Sequence, residues 1–243
     1  IKEYDSEPIF DLRVVPMLEQ VLPYEKLCRI DHQFEKTSDF TFHRTRLLND
    51  MLWQVKTPVT VNYDSDILLP IESYVYAQNM IVNEHKESED SIPPKVVYPY
   101  GFCNYLHQLH VGDEEVTNFI NSGFDFKSFE GHIRQWDAKY GFCQFFDTEE
   151  YKRLGGENEN FIAYGYEDNE RYHRFKLLGY EVGRYDGNVY HMEHERTPNS
   201  WFTNPYIENN KNLYEQILKF DKKQLQEYYE QQDYLKIRKA QLK

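Results

Sequence analysis

Three short stretches hold residues able to do chemistry. In residues 59–70, VTVNYDSDILLP, Asp64 and Asp66 follow a β-branched and aromatic run in which Val59, Val61 and Tyr63 alternate with Thr60 and Asn62, so two acids stand where a strand is expected to end. Acids separated by one residue can point the same way from extended backbone, and hard oxygen ligands suit Mg²⁺ or Mn²⁺, which bridge a protein to phosphate oxygens. In residues 154–184, LGGENENFIAYGYEDNERYHRFKLLGYEVGR, Gly155 and Gly156 permit a tight turn and Glu167 and Asp168 open a helix. A helix N-terminus keeps a carboxylate ionised, as a general base requires. In residues 188–196, NVYHMEHER, His191 and His194 end a short strand beside Glu193 and Glu195, where two imidazoles could complete a metal site begun by Asp66. Each stretch also has a plain structural reading: an Asx turn, helix-start acids that complement the dipole, and surface histidines.

The elements that would carry these residues follow from periodicity. Residues 11–22 read as a helix with Pro16 as a kink or break, residues 24–30 as a short strand, and residues 42–51 as a helix with Leu47, Leu48 and Met51 on its apolar side. Arg44 and Arg46 near the start of that last helix oppose its dipole, which points to an anion nearby or to plain exposure. Residues 70–82 form a helix, 83–94 a solvated, mobile polar loop, and 95–100 a strand; 101–139 has mixed patterning and no assigned structure. Trp136, His132 and Arg134 within it are read as ordinary surface or packing residues. Gly179 stops the helix begun at Glu167, with Tyr172 and Phe175 on its inward face, before a strand at 180–184. Asn204 as N-cap with Pro205 at the first helical position, and an Asp221–Gln224 capping box, start two closing amphipathic helices at 205–219 and 222–238. An α/β sheet normally begins with a strand, so one is expected before residue 1 or in residues 1–4, and the start is read as incomplete.

Composition bounds the class. The 243 residues suit one large domain or one and a half, and 28 Lys plus Arg against 41 Asp plus Glu give a net charge of −13, which argues against a general nucleic-acid binder. Richness in Tyr and Phe suits sugar or base stacking as well as core filling. Cys28, Cys103 and Cys143 are too few and dispersed for a disulfide scaffold or zinc site, so buried free thiols and a reducing, cytoplasmic setting are expected. No run reaches the length of a membrane span.

Taken in order, FHRTRLLN, DSD on a strand, GGENENFxxYGYEDNExYxRFxxLG and HMEH resemble a GT-A glycosyltransferase of the galactosyltransferase and chondroitin-polymerase-like group, over about residues 42–199. The resemblance implies a Rossmann-like mixed α/β sheet flanked by helices, a nucleotide-sugar donor, usually a UDP-sugar, and Mn²⁺ or Mg²⁺ between acids and diphosphate. It matches Asp66 to the metal-binding second acid, Asp64 to the acid that supports ribose, donor sugar or metal, and His191 or His194 to the later metal ligand. Phe42 and Arg44 match positions beside the uracil, Tyr164 stands for a tryptophan of the sugar pocket, Gly155, Gly156 and Glu167 fall in the sugar and acceptor pocket, and Asp168 matches the catalytic base. Asn169 replaces the carboxylate after the base, and Ile162 and Tyr164 replace tryptophans, so galactose and N-acetylglucosamine specificity does not carry over. The run HERTPNS is more similar to bacterial or viral polysaccharide-building relatives than to Golgi enzymes.

The domain reading is a catalytic domain at 1–203 with a C-terminal helical extension at 204–243. The function implied is an inverting, metal-dependent transfer of a sugar to a hydroxyl of a saccharide or other acceptor. Two alternatives stand beside it. A haloacid-dehalogenase-type phosphohydrolase also uses a strand followed by D-x-D, but expects Thr or Val where Leu68 stands. A non-catalytic sugar-binding module would share the fold.

Overall fold

The computed structural model describes residues 1–39, 41–82, 93–195 and 203–241. Two four-stranded mixed sheets and a small two-stranded one, covered by helices, make up the described chain. The small sheet pairs β1 (Lys2–Asp5) with β2 (Gln33–Lys36) in parallel. A strand does open the chain, then, but in a sheet of its own. Between these strands lie a π-helical turn, Phe10–Val14, and α1, Val15–Val21, with Pro16 where the helix changes from π to α. Residues 24–30, expected as a strand, instead contain a short helix α2, Tyr24–Leu27, because Pro23 with ψ of 150° caps a turn that folds back on itself.

The first large sheet has the order β3 (Val59–Tyr63), β8 (Cys143–Asp147), β5 (Val96–Tyr98), β9 (Val182–Arg184), with only the β5–β9 pair parallel. The second has the order β4 (Ile67–Leu68), β10 (Val189–Met192), β6 (Cys103–Leu109), β7 (Ile133–Ala138), with β10 and β6 parallel. On the edge strand β3 the polar residues face inward: Thr60 and Asn62 are buried, whereas Val61 and Tyr63 are more than a third exposed. The two inward side chains meet hydrogen-bonding partners, Thr60 Oγ1 with Thr148 Oγ1 at 2.7 Å and Asn62 with Glu157 and Tyr151.

Helix α3 (Arg44–Leu52) and α4 (Ile71–Val82) form close to where periodicity expects them, and α4 buries Ser73, Ala77 and Ile81 at helical spacing. The unassigned stretch 101–139 supplies β6, α5 (Asp113–Asn121), a 3₁₀ turn at Phe126–Phe129 and β7. Its Leu109, Phe119 and Phe129 form a second, small core with Tyr190 of β10. After α6 (Thr148–Arg153), helix α7 (Glu167–Leu178) turns an inward stripe of Glu167, Glu170, Arg171, Arg174, Phe175 and Leu178 to the core, and Gly179, at φ of 93°, ends it.

Three helices close the chain rather than two: α8 (Ile207–Ile217), α9 (Lys222–Gln231) and α10 (Asp233–Gln241). The capping box of Asp221 and Gln224 forms, and Gln232, with extended ψ of 123°, breaks the expected last helix. Pro205 lies ahead of α8, where Asn204 Oδ1 accepts from Tyr206 N at 2.9 Å. Ile217, Leu225, Tyr229 and Leu235 join the main core, so these helices share it with the sheets. All three cysteines are free, but only Cys143 is buried; Cys28 is exposed and Cys103 half-buried. Residues 83–92, most of the expected polar loop, and 196–200 of HERTPNS lie outside the described residues. Among the described residues no helix is long and apolar enough to cross a membrane.

Candidate active site

The end of β3, the start of α3, the start of α7 and the end of β10 converge on an open cleft of about 700 Å³. Phe42, Arg44, Asp64, Asp66, Tyr164, Glu167, Asp168, His191 and His194 all line it. Gly155 and Gly156 do not. A Cβ on Gly155 would lie 2.7 Å from the Tyr229 ring, and one on Gly156, at φ of 61°, would meet Asn49, Trp53 and Leu52, so this pair lets α3 and α9 close on the turn behind the cleft.

Asp66 sits in the tight turn between β3 and β4, and the antiparallel pairing of β4 with β10 brings His191 opposite Ile67. Asp66 Oδ2 thereby lies 3.0 Å from His194 Nε2 and 3.4 Å from His191 Nε2, and the three ligand atoms fall within 4.8 Å of one another. Two further features fit this group to a cation. Asp66 Oδ1 is buried and has no hydrogen-bond partner among the described residues. His194 Nδ1 lies 2.8 Å from the Glu195 carbonyl oxygen, which can only accept, so Nδ1 carries the hydrogen and a neutral ring turns its Nε2 lone pair towards a carboxylate oxygen. Two lone pairs at that separation call for a proton or a metal ion between them. Gln108 on β6 braces His191 Nδ1 at 2.9 Å, and its amide can meet either tautomer. Burial opposes ionisation of Asp66, but the His191 hydrogen bond and the positive charge of the two rings when they are protonated outweigh it and lower its pKa. Asp64 stands outside this group, because its Oδ1 accepts from Arg44 Nη2 at 2.6 Å.

Arg44, which the resemblance matches to a position beside a nucleotide base, is surrounded by acids: Asp64, Glu167 at 3.3 Å and Asp168 at 3.5 Å. Its side chain is 16% exposed, and these three charges overcome burial to raise its pKa further. Arg46 in the same first turn is held by Glu35 at 3.0 Å and 3.1 Å. Both cations that oppose the α3 dipole are therefore neutralised by carboxylates from other elements. Phe42 is 44% exposed on the cleft wall, and its carbonyl accepts from Ala163 N, which joins it to the Tyr164 loop.

On α7, Asp168 Oδ1 accepts from Arg171 Nη1 at 2.8 Å, while Oδ2 faces Gly141, where an added Cβ would stand 3.2 Å away. Glu167 is almost fully buried; its Oε2 accepts from Gly165 N at 2.8 Å. Burial, reinforced by the Asp168 charge and only partly offset by Arg44, pushes the Glu167 carboxyl up to about 7. Because the folded form holds this proton more tightly than the unfolded chain, its contribution to stability is full below the ordinary glutamate range and is lost as pH rises towards 7. Glu167→Gln is expected to flatten that loss. Thermal melts at pH 5.5 and pH 8 check it: the parent should fall further than the variant, by about 2–4 °C for each kcal/mol involved. Parallel curves would remove the assignment.

Sequence reasoning missed Gln108, Glu157 and Arg171. Glu157 and Arg171 do stand in the GGEN and NER segments of the quoted block, but a charged residue read alone carries no sign of being buried.

A comparison with curated protein sequences gave no match. Among solved structures, a Drosophila β1,4-galactosyltransferase 7 mutant in complex with manganese, UDP-Gal and xylobiose is similar at 16% identity and a TM-score of 0.41, over 79% of this chain and 70% of that one. The catalytic domain of Drosophila β1,4-galactosyltransferase 7 with xylobiose is similar at 18% identity and a TM-score of 0.34, over 75% of this chain and 63% of that one. Residues 125–195, which include Asp168, His191 and His194, match a family model described as the N-terminal domain of galactosyltransferase.

Proposed function

We propose that this chain is a metal-dependent glycosyltransferase that moves a sugar, with inversion, from a UDP-sugar to a hydroxyl of a saccharide acceptor. The observation that carries the reading is the opening of the Asp66, His191 and His194 group and of the Asp168 carboxylate onto one cleft. The match of residues 125–195 to the galactosyltransferase model and the DSD and YGYED segments support it. The choice of metal and donor comes from the resemblance that those segments carry. Asp66, His191 and His194 would hold Mn²⁺; the mixed nitrogen and oxygen set suits it better than Mg²⁺. When bound, the cation neutralises the diphosphate of the donor and of the departing UDP. Phe42 and Tyr164 offer aromatic faces to base and sugar. Arg44 ties Asp64 to Glu167 and Asp168, and so links the donor side of the cleft to the side that carries the base. Asp168 Oδ2 accepts the acceptor hydroxyl's proton as that oxygen bonds to the anomeric carbon and the bond from that carbon to the diphosphate oxygen breaks.

Residues 1–203 act as the catalytic domain, and 204–243 as a helical extension that closes its core. The finer likeness, to bacterial or viral polysaccharide-building enzymes, rests on the run HERTPNS and fits the scarcity of cysteine. The three free cysteines suit a reducing, cytoplasmic setting. A panel of nucleotide sugars with Mn²⁺, scored by released nucleotide and by the rise in Tm, tests the reading. A UDP-sugar should stand out in both. Turnover of a simple phosphate ester without any nucleotide sugar would favour a phosphohydrolase, and donor binding without turnover a sugar-binding module.

A further inference from the structure

We propose that the buried pair Glu157 and Arg171 positions Asp168, and that Arg171 does so by fixing one carboxylate oxygen so that the other is presented to the cleft. The inference rests on the glycosyltransferase reading above and deepens it.

Arg171 is fully buried, absent from the cleft wall and one helical turn beyond Asp168. Its Nε and Nη2 donate to the two oxygens of Glu157, both at 2.8 Å, in a bidentate pair whose members are 0% and 2% exposed. A guanidinium is planar, so two bonds along one edge fix the direction of the remaining Nη1 hydrogens. Nη1 donates to Asp168 Oδ1 at 2.8 Å and to Gln144 Oε1 at 3.2 Å. Gln144 in turn donates to the carbonyls of Gly141 at 2.6 Å and Tyr140 at 3.0 Å, and Gly141 is the residue against which Asp168 Oδ2 lies. One buried side chain thus orders both the carboxylate and the loop facing it.

Glu157 is anchored just as firmly. Asn62 Nδ2 donates to its Oε1 at 2.8 Å, the Tyr151 hydroxyl donates to the same oxygen, and the Glu157 N–H donates to Asn49 Oδ1 at 2.8 Å. Asn62 lies two residues before Asp64 on β3. The chain Asp168, Arg171, Glu157, Asn62 is therefore a continuous buried link between the helix carrying the base and the strand leading to the acidic turn. Glu157 and Arg171 already neutralise each other, so the bond to Asp168 is additional to what pairing requires. Because Arg171 does not line the cleft, its effect on the reaction passes through Asp168.

Glu157→Leu with Arg171→Met tests this, since an apolar pair can replace a buried ion pair without loss of fold. The expected double variant melts cooperatively, binds UDP with Mn²⁺ within threefold of the parent, and transfers sugar with kcat lower by about 10²-fold, the scale of a small misplacement of a reacting group. In an Asp168→Asn background the same two substitutions should cost less than twofold, which a merely structural role would not produce. A folded double variant with kcat within threefold of the parent overturns the proposal, as does an equal loss in both backgrounds. Arg171→Lys, which keeps the charge but loses the planar fork, is read in the same two backgrounds and decides the matter should the double variant not fold. A crystal structure of a folded variant in which the Asp168 carboxylate has not moved also overturns it. A parent that neither binds UDP with Mn²⁺ nor transfers sugar overturns the glycosyltransferase reading, and this inference with it, before any substitution is made. A parent that does both while its variants fail the comparison overturns the positioning role alone.

Discussion

Asp168→Asn is expected to lower sugar transfer by about 10²–10⁴-fold, the usual worth of general-base catalysis, while the fold and the Mn²⁺-dependent binding of UDP persist. The amide keeps the size of the side chain, and its oxygen can still accept from Arg171 Nη1, which now stands 2.8 Å from Oδ1. What it loses is the basic Oδ2 beside Gly141. Were Asp168 only a helix-start acid, the substitution would cost on the order of 1 kcal/mol of stability and leave turnover per folded molecule almost unchanged. Steady-state rates measured beside thermal melts separate the two, and a variant within tenfold of the parent rate would exclude Asp168 as the base. Product anomeric configuration by NMR supplies the complement, since a base in this role requires inversion.

Asp66→Ala is expected to abolish the metal dependence of nucleotide binding. Loss of a partner that merely orients a ligand costs about 10–100-fold in metal affinity, so loss of the carboxylate itself should cost at least about 100-fold. Without a cation, the remaining acids would face a diphosphate directly and repel it. Calorimetry of UDP with Mn²⁺ and with chelator makes the comparison: the parent should bind only with metal, and Asp66→Ala should bind weakly in both. Equal affinity of the parent with metal and with chelator would remove the metal bridge. His191→Ala and His194→Ala should each weaken the metal response. The His191 loss should be the larger, because this ring is buried and braced by Gln108, whereas the His194 side chain is 41% exposed.

Much of the candidate site was legible in the chain because the residues that line the cleft lie close in sequence to a structural signal. Asp64 and Asp66 follow a β-branched run, Asp168 follows a glycine-rich turn and precedes a helix stopped by Gly179, and His191 and His194 end a short apolar run. Strands β3, β5 and β9 and helices α3, α4 and α7 follow from local pattern, since alternation, helical spacing, glycine and proline act over a few residues. Tertiary structure alone decided which of these residues face one another. Only the pairing of β4 with β10 brings Asp66 to the histidines, and only the convergence of three elements turns Arg44 from a free cation near a nucleotide into the partner of Asp64, Glu167 and Asp168. The same holds for burial of charge. On β3 the inward face is Thr60 and Asn62 rather than Val61 and Tyr63, and on α7 it includes four charged side chains; Glu157 lies against both elements and is the hydrogen-bonding partner of Asn62 and Arg171. Local pattern reads hydrophobicity, whereas a buried ion pair costs little only when its partner, here fourteen residues distant for Glu157 and Arg171, arrives in the correct geometry.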